Sequence, residues 1–357
     1  MSGTSLDGVD AVLADLDHFQ TVILAAAHVA FDAELRRRLA GLTCSGTNEI
    51  DRAGALGNQL ASIYAEAARL ALRDAGRTAA DVRAIGCHGQ TIRHRPERGY
   101  TVQIGNAALL AELTGITVVA DFRSRDIAAG GQGAPLVPAF HARAFADADE
   151  ERVILNLGGI ANLTVLRRDA PPLGFDTGPG NCLIDHWVQL HLGKNYDDDG
   201  AWAAQGNVDA ALLERMLDEA YFRAAPPKST GRELFNPAWL NALLRPGANP
   251  RDVQATLLEL TAASVARAIH AHAGGVRRVI VCGGGARNTT LMCSLEHRLA
   301  PRTVESSDRH GLPAQLVEAA AFAWLAQQAL EGRTGNLPSV TGAKGSRILG
   351  AIYPGGG

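Results

Sequence analysis

The sequence lacks an excess of charge of either sign. It has 34 lysine and arginine residues against 37 aspartate and glutamate residues, a formal net charge of -3. This balance gives no electrostatic reason to expect nucleic acid or an anionic membrane as a partner. No apolar run reaches the roughly 18 residues of a transmembrane helix. The amino terminus has no basic stretch followed by an apolar one, so we predict no signal peptide and expect a cytoplasmic protein.

Cysteine is scarce, and no two cysteines form a C-x-x-C pair. The five cysteines are Cys44, Cys87, Cys182, Cys282 and Cys293. Because the number is odd and the spacing irregular, neither a disulfide framework nor a zinc site is predicted, and a reducing compartment fits.

Other metal-site patterns are also missing. His186 and His191 lie five residues apart on a predicted helix, which is poor spacing for one metal ion. The acidic run at 197–200 lacks the spaced ligands and the terminal glutamate of a calcium loop, so we interpret it as a solvated surface turn.

Two common nucleotide-binding signatures are absent. No G-x-x-x-x-G-K-[ST] motif occurs, since residues 342–346 have the wrong spacing, and no G-x-G-x-x-G motif follows a predicted strand. A P-loop or Rossmann enzyme is therefore disfavoured. A fold that divides its phosphate contacts between two domains fits better.

What the sequence does contain is an alternation of short apolar runs with amphipathic stretches, which predicts an α/β fold. The chain is long enough for two domains with separate cores. A crossover between domains is predicted within the glycine- and proline-rich segment 128–138. The predicted helices are 52–75, 181–192, 253–273 and 314–330. The predicted strands are 82–86, 117–120, 152–157, 163–166 and 278–282, with 163–166 returning antiparallel to 152–157.

Glycine is the one residue type in excess, with 39 copies, and much of it is clustered. The clusters lie at 2–8, 156–159, 175–181 and 283–288. Glycine lets the backbone approach an anion closely, and the N–H groups of tight turns form anion-binding concavities. Any one cluster taken alone is most simply a tight turn. Four clusters, each beside an Asp, Asn, Ser or Thr, together favour a cradle for nucleotide phosphates.

Three of these clusters and three further motifs occur in the order found in one known family. The motifs are Ser2-Gly3-Thr4-Ser5-Leu6-Asp7-Gly8-Val9-Asp10, His88-Gly89-Gln90-Thr91, the segment 120–135, Phe175-Asp176-Thr177-Gly178-Pro179-Gly180-Asn181, the segment 228–233, and Val281-Cys282-Gly283-Gly284-Gly285. They span nearly the whole chain. Taken together, these motifs resemble those of the anhydro-N-acetylmuramic acid kinase family.

The resemblance implies the actin-like ATPase and sugar-kinase fold, with two ribonuclease-H-like domains around an ATP-binding cleft. We expect the first domain to comprise 1–127 plus about 335–357, and the second to comprise 128–334. The implied reaction uses ATP with Mg²⁺ and water to convert 1,6-anhydro-N-acetylmuramic acid into N-acetylmuramic acid 6-phosphate, a step in peptidoglycan recycling. Members of the family are typically homodimers, so a homodimer is expected.

The resemblance also suggests which residues bind the nucleotide. The opening loop should wrap the β- and γ-phosphates, and glycines of the second domain should face the nucleotide. Asp7 suits a magnesium contact made through water, since direct contact with phosphate would be repulsive; the alternative is an aspartate that caps a turn. The predicted nucleotide-binding residues are Gly3, Thr4, Ser5, Leu6, Asp7, Gly8, Val9, Asp10, Gly158, Gly159, Gly283, Gly284 and Gly285.

Asp176 is the predicted catalytic base, because it follows a short apolar run and precedes a glycine-rich turn. The alternative is a structural aspartate that closes a turn. Arg123 is the natural partner of the lactyl carboxylate, since its planar guanidinium can make two parallel hydrogen bonds. The predicted substrate-binding residues are His88, Gln90, Arg123 and Asp126. A structural hydrogen bond is an equally good explanation for each of these four residues.

Three points stay open at this stage. Lys228 and Arg232 suit either phosphate contact or a solvated surface equally well.

The family normally has a short apolar strand before its Ser-Gly-Thr-Ser motif, whereas Met1 stands inside the motif here. We therefore expect the sheet of the first domain to lack much of that strand. Two rival functions remain: a kinase for another sugar or small acid with the same fold, and a non-catalytic nucleotide-dependent sugar sensor.

Overall fold

The computed structural model describes residues 1–3, 6–16 and 21–356. Thr4 and Ser5, two of the predicted phosphate contacts, lie outside the described residues. The chain forms two compact units: unit 1 comprises residues 1–144 and 316–357, and unit 2 comprises residues 145–315.

The chain up to residue 145 supplies most of unit 1. Its described residues form β1 (Gly8–Asp15), β2 (Val22–Ala30), α1 (Ala33–Ala40), α2 (Glu49–Asp74), β3 (Ile85–Gly86), β4 (Gln90–Arg95), β5 (Tyr100–Ile104), α3 (Ala107–Thr114), β6 (Val118–Ala120), α4 (Ser124–Ala128) and α5 (Val137–Phe145).

The middle of the chain forms unit 2, and the last residues return to unit 1. Unit 2 contains β7 (Arg152–Leu157), β8 (Ile160–Leu166), β9 (Leu173–Pro179), α6 (Cys182–Leu192), α7 (Ala210–Leu217), α8 (Ala220–Arg223), α9 (Pro237–Leu243), α10 (Pro250–His272), β10 (Arg278–Cys282), α11 (Thr289–Leu299) and β11 (Thr303–Ser306). The returning segment contains α12 (Val317–Leu330), α13 (Pro338–Thr341) and β12 (Ala351–Tyr353).

The prediction of an α/β fold is confirmed. Strands β7 and β10 have the predicted bounds, and β8 does return antiparallel to β7. The strand predicted at 82–86 is reduced to Ile85–Gly86, which pairs in parallel with β6.

The boundaries between the units differ from those expected near residues 127 and 334. Helix α12 packs against β1, β3 and β6, so it belongs to unit 1. Its contact with β3 is close: a Cβ on Gly86 would lie 2.1 Å from the carbonyl oxygen of Phe322. The alanine-rich helix therefore contacts the strand at Gly86, and only a residue without a side chain permits so close an approach.

The strands of unit 1 form separate sheets among the described residues. Strands β1 and β2 pair antiparallel, β4 and β5 form a second ribbon, and β12, β6 and β3 form a three-stranded sheet in that order. Helix α2 packs on β1 and β2 because its apolar residues recur at helical spacing, so that Leu56, Leu60 and Tyr64 are buried together. This core also contains Val9 and Val118.

Unit 2 is built on one five-stranded sheet with the order β11-β10-β7-β8-β9. Strands β7, β8 and β9 run antiparallel in succession, whereas β10 lies parallel to both β7 and β11. The order and directions agree with the ribonuclease-H-like domain that the resemblance implies. The carboxyl ends of β7 and β10 therefore meet at one edge of the sheet, where two of the glycine clusters begin.

The acidic run at 197–200 is not simply the solvated turn that we expected. Asp197 is buried, and its carboxylate accepts hydrogen bonds from the N–H groups of Trp202 and Ala203 at 2.9 Å. Asp198 and Asp199 are exposed. The expectation is wrong for Asp197, because a carboxylate that receives several N–H bonds can be buried at a tolerable cost.

Helices long and apolar enough to cross a membrane do not occur among the residues that the structure describes. The longest helix, α2, carries charged residues in its first and last turns.

Burial of His141 makes the stability of the protein depend on pH. The side chain is fully buried, and burial lowers the pKa of His141 to about 3. In the unfolded chain its pKa is about 6.5, so the unfolded state binds a proton that the folded state does not. Below about pH 6.5 the folded state therefore loses stability as the pH falls.

We predict that protonation of His141 in the unfolded state alone lowers the free energy of unfolding by about 2 kcal/mol as the pH falls from 6.5 to 5. Urea unfolding of His141→Gln at the two pH values should show a smaller loss than the parent protein. His297→Gln, at an exposed histidine, is the control and should behave as the parent does. An unchanged pH dependence in His141→Gln would contradict this account.

Candidate functional site

Hydrogen bonds hold the opening loop of unit 1 at both of its ends, at Ser2 and at Asp7. Ser2 is buried, and its hydroxyl lies 2.8 Å from the hydroxyl of Tyr64 and 3.3 Å from the carbonyl oxygen of Gly89. At the far end, the N–H of Phe31 donates to the carbonyl of Asp7 at 2.9 Å. Leu6 adopts a positive φ of 58°, so the chain makes a sharp turn before entering β1.

Gly8 is required by the strand that the loop enters. A Cβ at this position would lie 2.5 Å from the carbonyl oxygen of Val29, on the paired strand β2. Asp10 stands opposite His28 in the same ladder, and its carboxylate lies 2.8 Å from Nδ1 of that ring. The side chain of Val9 is buried in the core. Val9 can therefore offer only backbone groups to a ligand.

Asp7 is the exposed carboxylate of the loop. Among the described residues, no group of three or more His, Cys, Asp or Glu side chains is placed to hold a metal ion. A single carboxylate suits Mg²⁺ that takes most of its oxygen ligands from water and substrate phosphates.

The buried His88 and the half-buried Arg123 form a polar pair in unit 1. The Nε and Nη2 atoms of Arg123 lie 3.0 and 2.8 Å from Nε2 of His88, and its Nη1 donates to the carbonyl of Gly133 at 2.7 Å. The imidazole also packs against the ring of Phe322 in a tilted arrangement, with ring centroids 4.6 Å apart. Burial, and then the neighbouring Arg123, hold the pKa of His88 well below its usual value. The ring is therefore neutral and accepts from the guanidinium.

Gln90 lies beside this pair and ends in a buried acceptor. Its amide nitrogen donates to the carbonyl of Gly3 at 3.2 Å, which links it to the opening loop. Its Oε1 atom is buried without a hydrogen-bond partner among the described residues. An unpaired buried acceptor is costly, so this atom is a good candidate for contact with a ligand.

Asp126 organises the glycine-rich loop that Arg123 touches. It is fully buried, and its carboxylate accepts from the N–H of Gly133 at 2.8 Å, from the amide of Asn336 at 2.6 Å and from the hydroxyl of Thr341 at 2.7 Å. These contacts make it a positioning residue for the loop and for the returning segment. Sequence reasoning missed Asn336 and Thr341, because they lie more than 200 residues away along the chain.

Glu318, in the first turn of α12, was also missed. Burial raises the pKa of its carboxyl, while Arg123 and the amino terminus act in the opposite direction. Carboxyl groups with raised pKa values cluster at functional sites, which marks Glu318 as a further candidate. The sequence places Glu318 near the start of a predicted helix. Glutamate is common there because it interacts favourably with the helix dipole, so its position alone does not indicate a functional role.

Three glycine clusters of unit 2 meet at one corner of its sheet, which we call the glycine corner (residues 156–159, 178–181 and 283–285). The N–H groups of Gly180 and Asn181 donate to the carbonyls of Gly159 and Gly158 at 3.0 and 2.9 Å. The amide of Asn181 donates to the carbonyl of Leu157 at 3.1 Å. The predicted residues Gly158, Gly159, Gly283, Gly284 and Gly285 are therefore brought together.

Close backbone approach explains the glycines of the corner. Gly283 has a φ of 84°, and a Cβ there would lie 2.4 Å from Oδ1 of Asn156. A Cβ on Gly180 would lie 2.3 Å from the carbonyl oxygen of Gly158. By contrast, a Cβ on Gly284 would meet nothing within 4 Å. Gly284 is exposed, so the corner presents backbone without a side chain, as a phosphate-binding turn requires.

Asp176 lies on β9, opposite Asn162 of β8. Its Oδ2 atom accepts from the N–H of Thr230 at 3.0 Å, and its own N–H donates to the carbonyl of Lys228 at 3.2 Å. The hydroxyl of Tyr221 donates to its carbonyl at 2.7 Å. The carboxylate is thus half-buried and held in one orientation, as a general base must be.

Comparisons with known proteins agree on one family. The model of the anhydro-N-acetylmuramic acid kinase family matches residues 1–355. The chain is 54% identical to the anhydro-N-acetylmuramic acid kinase of Nitrosospira multiformis, covering 99% of this chain and 97% of that one. It is 56% identical to the enzyme of the same name from Burkholderia orbicola, covering 99% and 95%. This chain belongs to the anhydro-N-acetylmuramic acid kinase family.

Likeness to solved structures is much weaker. An ADPNP-bound activator of 2-hydroxyisocaproyl-CoA dehydratase from Clostridium difficile is 13% identical, with 87% of this chain and 92% of that one covered and a TM-score of 0.43. The family assignment depends on the curated relatives and on the family model alone. The resemblance inferred from the motifs is confirmed by both.

We predict that Gly283→Ala destabilises the protein by about 1–3 kcal/mol, because it combines a strained φ with a clash against Asn156. Urea unfolding measures the change. Gly284→Ala is the matched control, and its unfolding free energy should stay within about 0.5 kcal/mol of the parent. Equal effects of the two substitutions would mean that the close contact with Asn156 is not the reason why position 283 requires glycine.

Proposed function

We propose that this protein is an ATP-dependent kinase that opens 1,6-anhydro-N-acetylmuramic acid and phosphorylates it, giving N-acetylmuramic acid 6-phosphate and ADP. The observation that carries the proposal is the full-length relation to curated kinases of this name at 54–56% identity. The arrangement of Asp176 and the glycine corner supports it. Two further expectations, a homodimer and a cytoplasmic location, stay predictions.

The glycine corner of unit 2 and the opening loop of unit 1 are the proposed nucleotide-binding segments. A side chain would obstruct the backbone of the glycine corner at Gly283, and at Gly8 it would obstruct the strand that the opening loop enters. Asp7 would hold Mg²⁺ through water, since it is the exposed carboxylate of the opening loop. When bound, Mg²⁺ would neutralise charge on the β- and γ-phosphates during transfer.

The chemistry of the anhydro sugar determines the role of Asp176. In an ordinary sugar kinase a carboxylate removes the proton of the attacking hydroxyl. In a 1,6-anhydro sugar O6 is bonded to C1 and carries no proton. We therefore propose that Asp176 takes a proton from a water molecule, whose oxygen attacks C1 as the C1–O6 bond breaks.

A second carboxylic acid is not needed to protonate the leaving oxygen. O6 forms its new bond with the γ-phosphorus of ATP, and ADP leaves with the electrons of the broken P–O bond. The arrangement resembles the base half of an inverting glycosidase, in which water lies between the carboxylate and the anomeric carbon. Asp176 suits this task because Thr230 and Tyr221 fix its position.

Residues of unit 1 are proposed to bind the sugar. The buried Oε1 of Gln90 has no partner among the described residues, which supports a direct contact with a sugar hydroxyl or amide. Arg123 is held by His88 and Gly133, so its guanidinium is fixed before a carboxylate arrives. Asp126 is proposed to act through the loop that it organises, because its carboxylate is fully buried.

We predict that Asp176→Asn retains its affinity for ATP and sugar yet loses several orders of magnitude in turnover. The loss should exceed the ~10²–10⁴-fold of a base alone, because the carboxylate also positions the water. Steady-state kinetics and calorimetric binding measure the two effects. An Asp176→Asn enzyme with normal turnover would exclude the proposed base.

The origin of the product oxygen at C1 is a separate prediction. With ¹⁸O-labelled water, the label should appear on C1 of the product and not in its phosphate ester, because water attacks carbon and O6 is retained. Mass spectrometry of the product, before and after removal of the phosphate, locates the label. Label in the phosphate ester would overturn the mechanism.

A further inference from the structure

The segment 226–232, which we call the strap, lies along β9 at the proposed base. Its residue Lys228 accepts the N–H of Asp176 through its carbonyl, and the N–H of Thr230 donates to the carboxylate. The strap therefore holds Asp176 at its main chain and at its side chain. Nothing in the local sequence required this, because the strap is more than 50 residues away along the chain.

The side chain of Lys228 turns back onto α8 instead of extending into solvent. Its Nζ atom donates to the carbonyl of Tyr221 at 3.0 Å and lies 4.5 Å from the centroid of the Tyr221 ring. The same atom lies 5.9 Å from the ring of Phe175, the buried neighbour of Asp176. A cation over aromatic faces is stabilised by their quadrupoles and keeps a defined position.

The charge of Lys228 interacts with Asp176. Burial lowers the pKa of the Lys228 ammonium, and the nearby Asp176 raises it in partial compensation. This interaction is mutual, so the ammonium favours the ionised form of the carboxylate. A half-buried cation beside a base is costly unless it is paired with a negative charge.

Other charged and titratable groups surround this cluster. They are Tyr221, Glu233, His272 and Arg167. Burial lowers the pKa of His272, so this ring is neutral at pH 7 and does not replace the charge of Lys228. Burial raises the pKa of Tyr221, which therefore stays a neutral donor to the carbonyl of Asp176.

We infer that Lys228 is a positioning residue of the reaction, which holds Asp176 ionised and in place through the strap and through its own positive charge. This inference rests on the proposed role of Asp176 as the base. This role differs from the two that the sequence left open for Lys228, because its ammonium packs on the ring of Tyr221 and interacts with Asp176.

The test uses the full-length protein with Lys228→Met and with Lys228→Gln, whose amide can keep the bond to Tyr221 without the charge. Turnover should fall about 10- to 100-fold in both, with KM for ATP and sugar changed less than about threefold. The acid limb of the kcat profile should move up by about one pH unit, because the base loses a favourable charge. Lys228→Arg should restore most of the turnover. Lys194→Met, at an exposed lysine of the same unit, should have no effect.

A double-variant cycle separates this inference from the proposed function. If Lys228 acts through Asp176, adding Lys228→Gln to Asp176→Asn should cause little further loss. An equal loss in both backgrounds, or a raised KM with an unchanged acid limb, would overturn the inference and leave the base role of Asp176 standing. Full activity of Asp176→Asn would instead overturn the base role of Asp176, on which this inference rests.

Discussion

Close approach of main chain to main chain, possible only at glycine, is the constraint on which the glycine corner depends. A Cβ on Gly180 would lie 2.3 Å from the carbonyl oxygen of Gly158, and a Cβ on Gly283 would lie 2.8 Å from the carbonyl oxygen of Leu157. These contacts join the ends of β7 and β10 to the turn after β9. The same turn carries the chain from β9 into α6, which connects the corner with the strand that holds Asp176.

Unit 1 relies instead on a chain of hydrogen bonds that are buried or partly buried. It runs from His88 through Arg123 and Gly133 to Asp126, and from there to Asn336 and Thr341 in the returning segment. Every polar group in such a chain needs its partner, since an unpaired one costs more than a hydrogen bond yields. The network therefore makes the candidate sugar-binding residues depend on the last 25 residues of the chain.

Two of the predicted site carboxylates, Asp126 and Asp176, take different parts in the structure. Asp126 is enclosed by three donors and supports a loop, whereas Asp176 is half-buried and held at defined points by a separate segment. For each of them the sequence left a structural role open as the alternative. Their burial and their hydrogen-bond partners differ, and these are properties of the folded chain.

The sequence by itself determined the α/β class, the bounds of β7 and β10, the family, and the residue types at each glycine cluster. These follow from local patterns, since apolar runs and glycine turns act over a few residues. Only the tertiary structure decided that α12 belongs to unit 1, that Asp197 is buried, and that the strap reaches Asp176. Such contacts join residues tens to hundreds of positions apart, and they depend on which surfaces pack together rather than on any pattern within a segment.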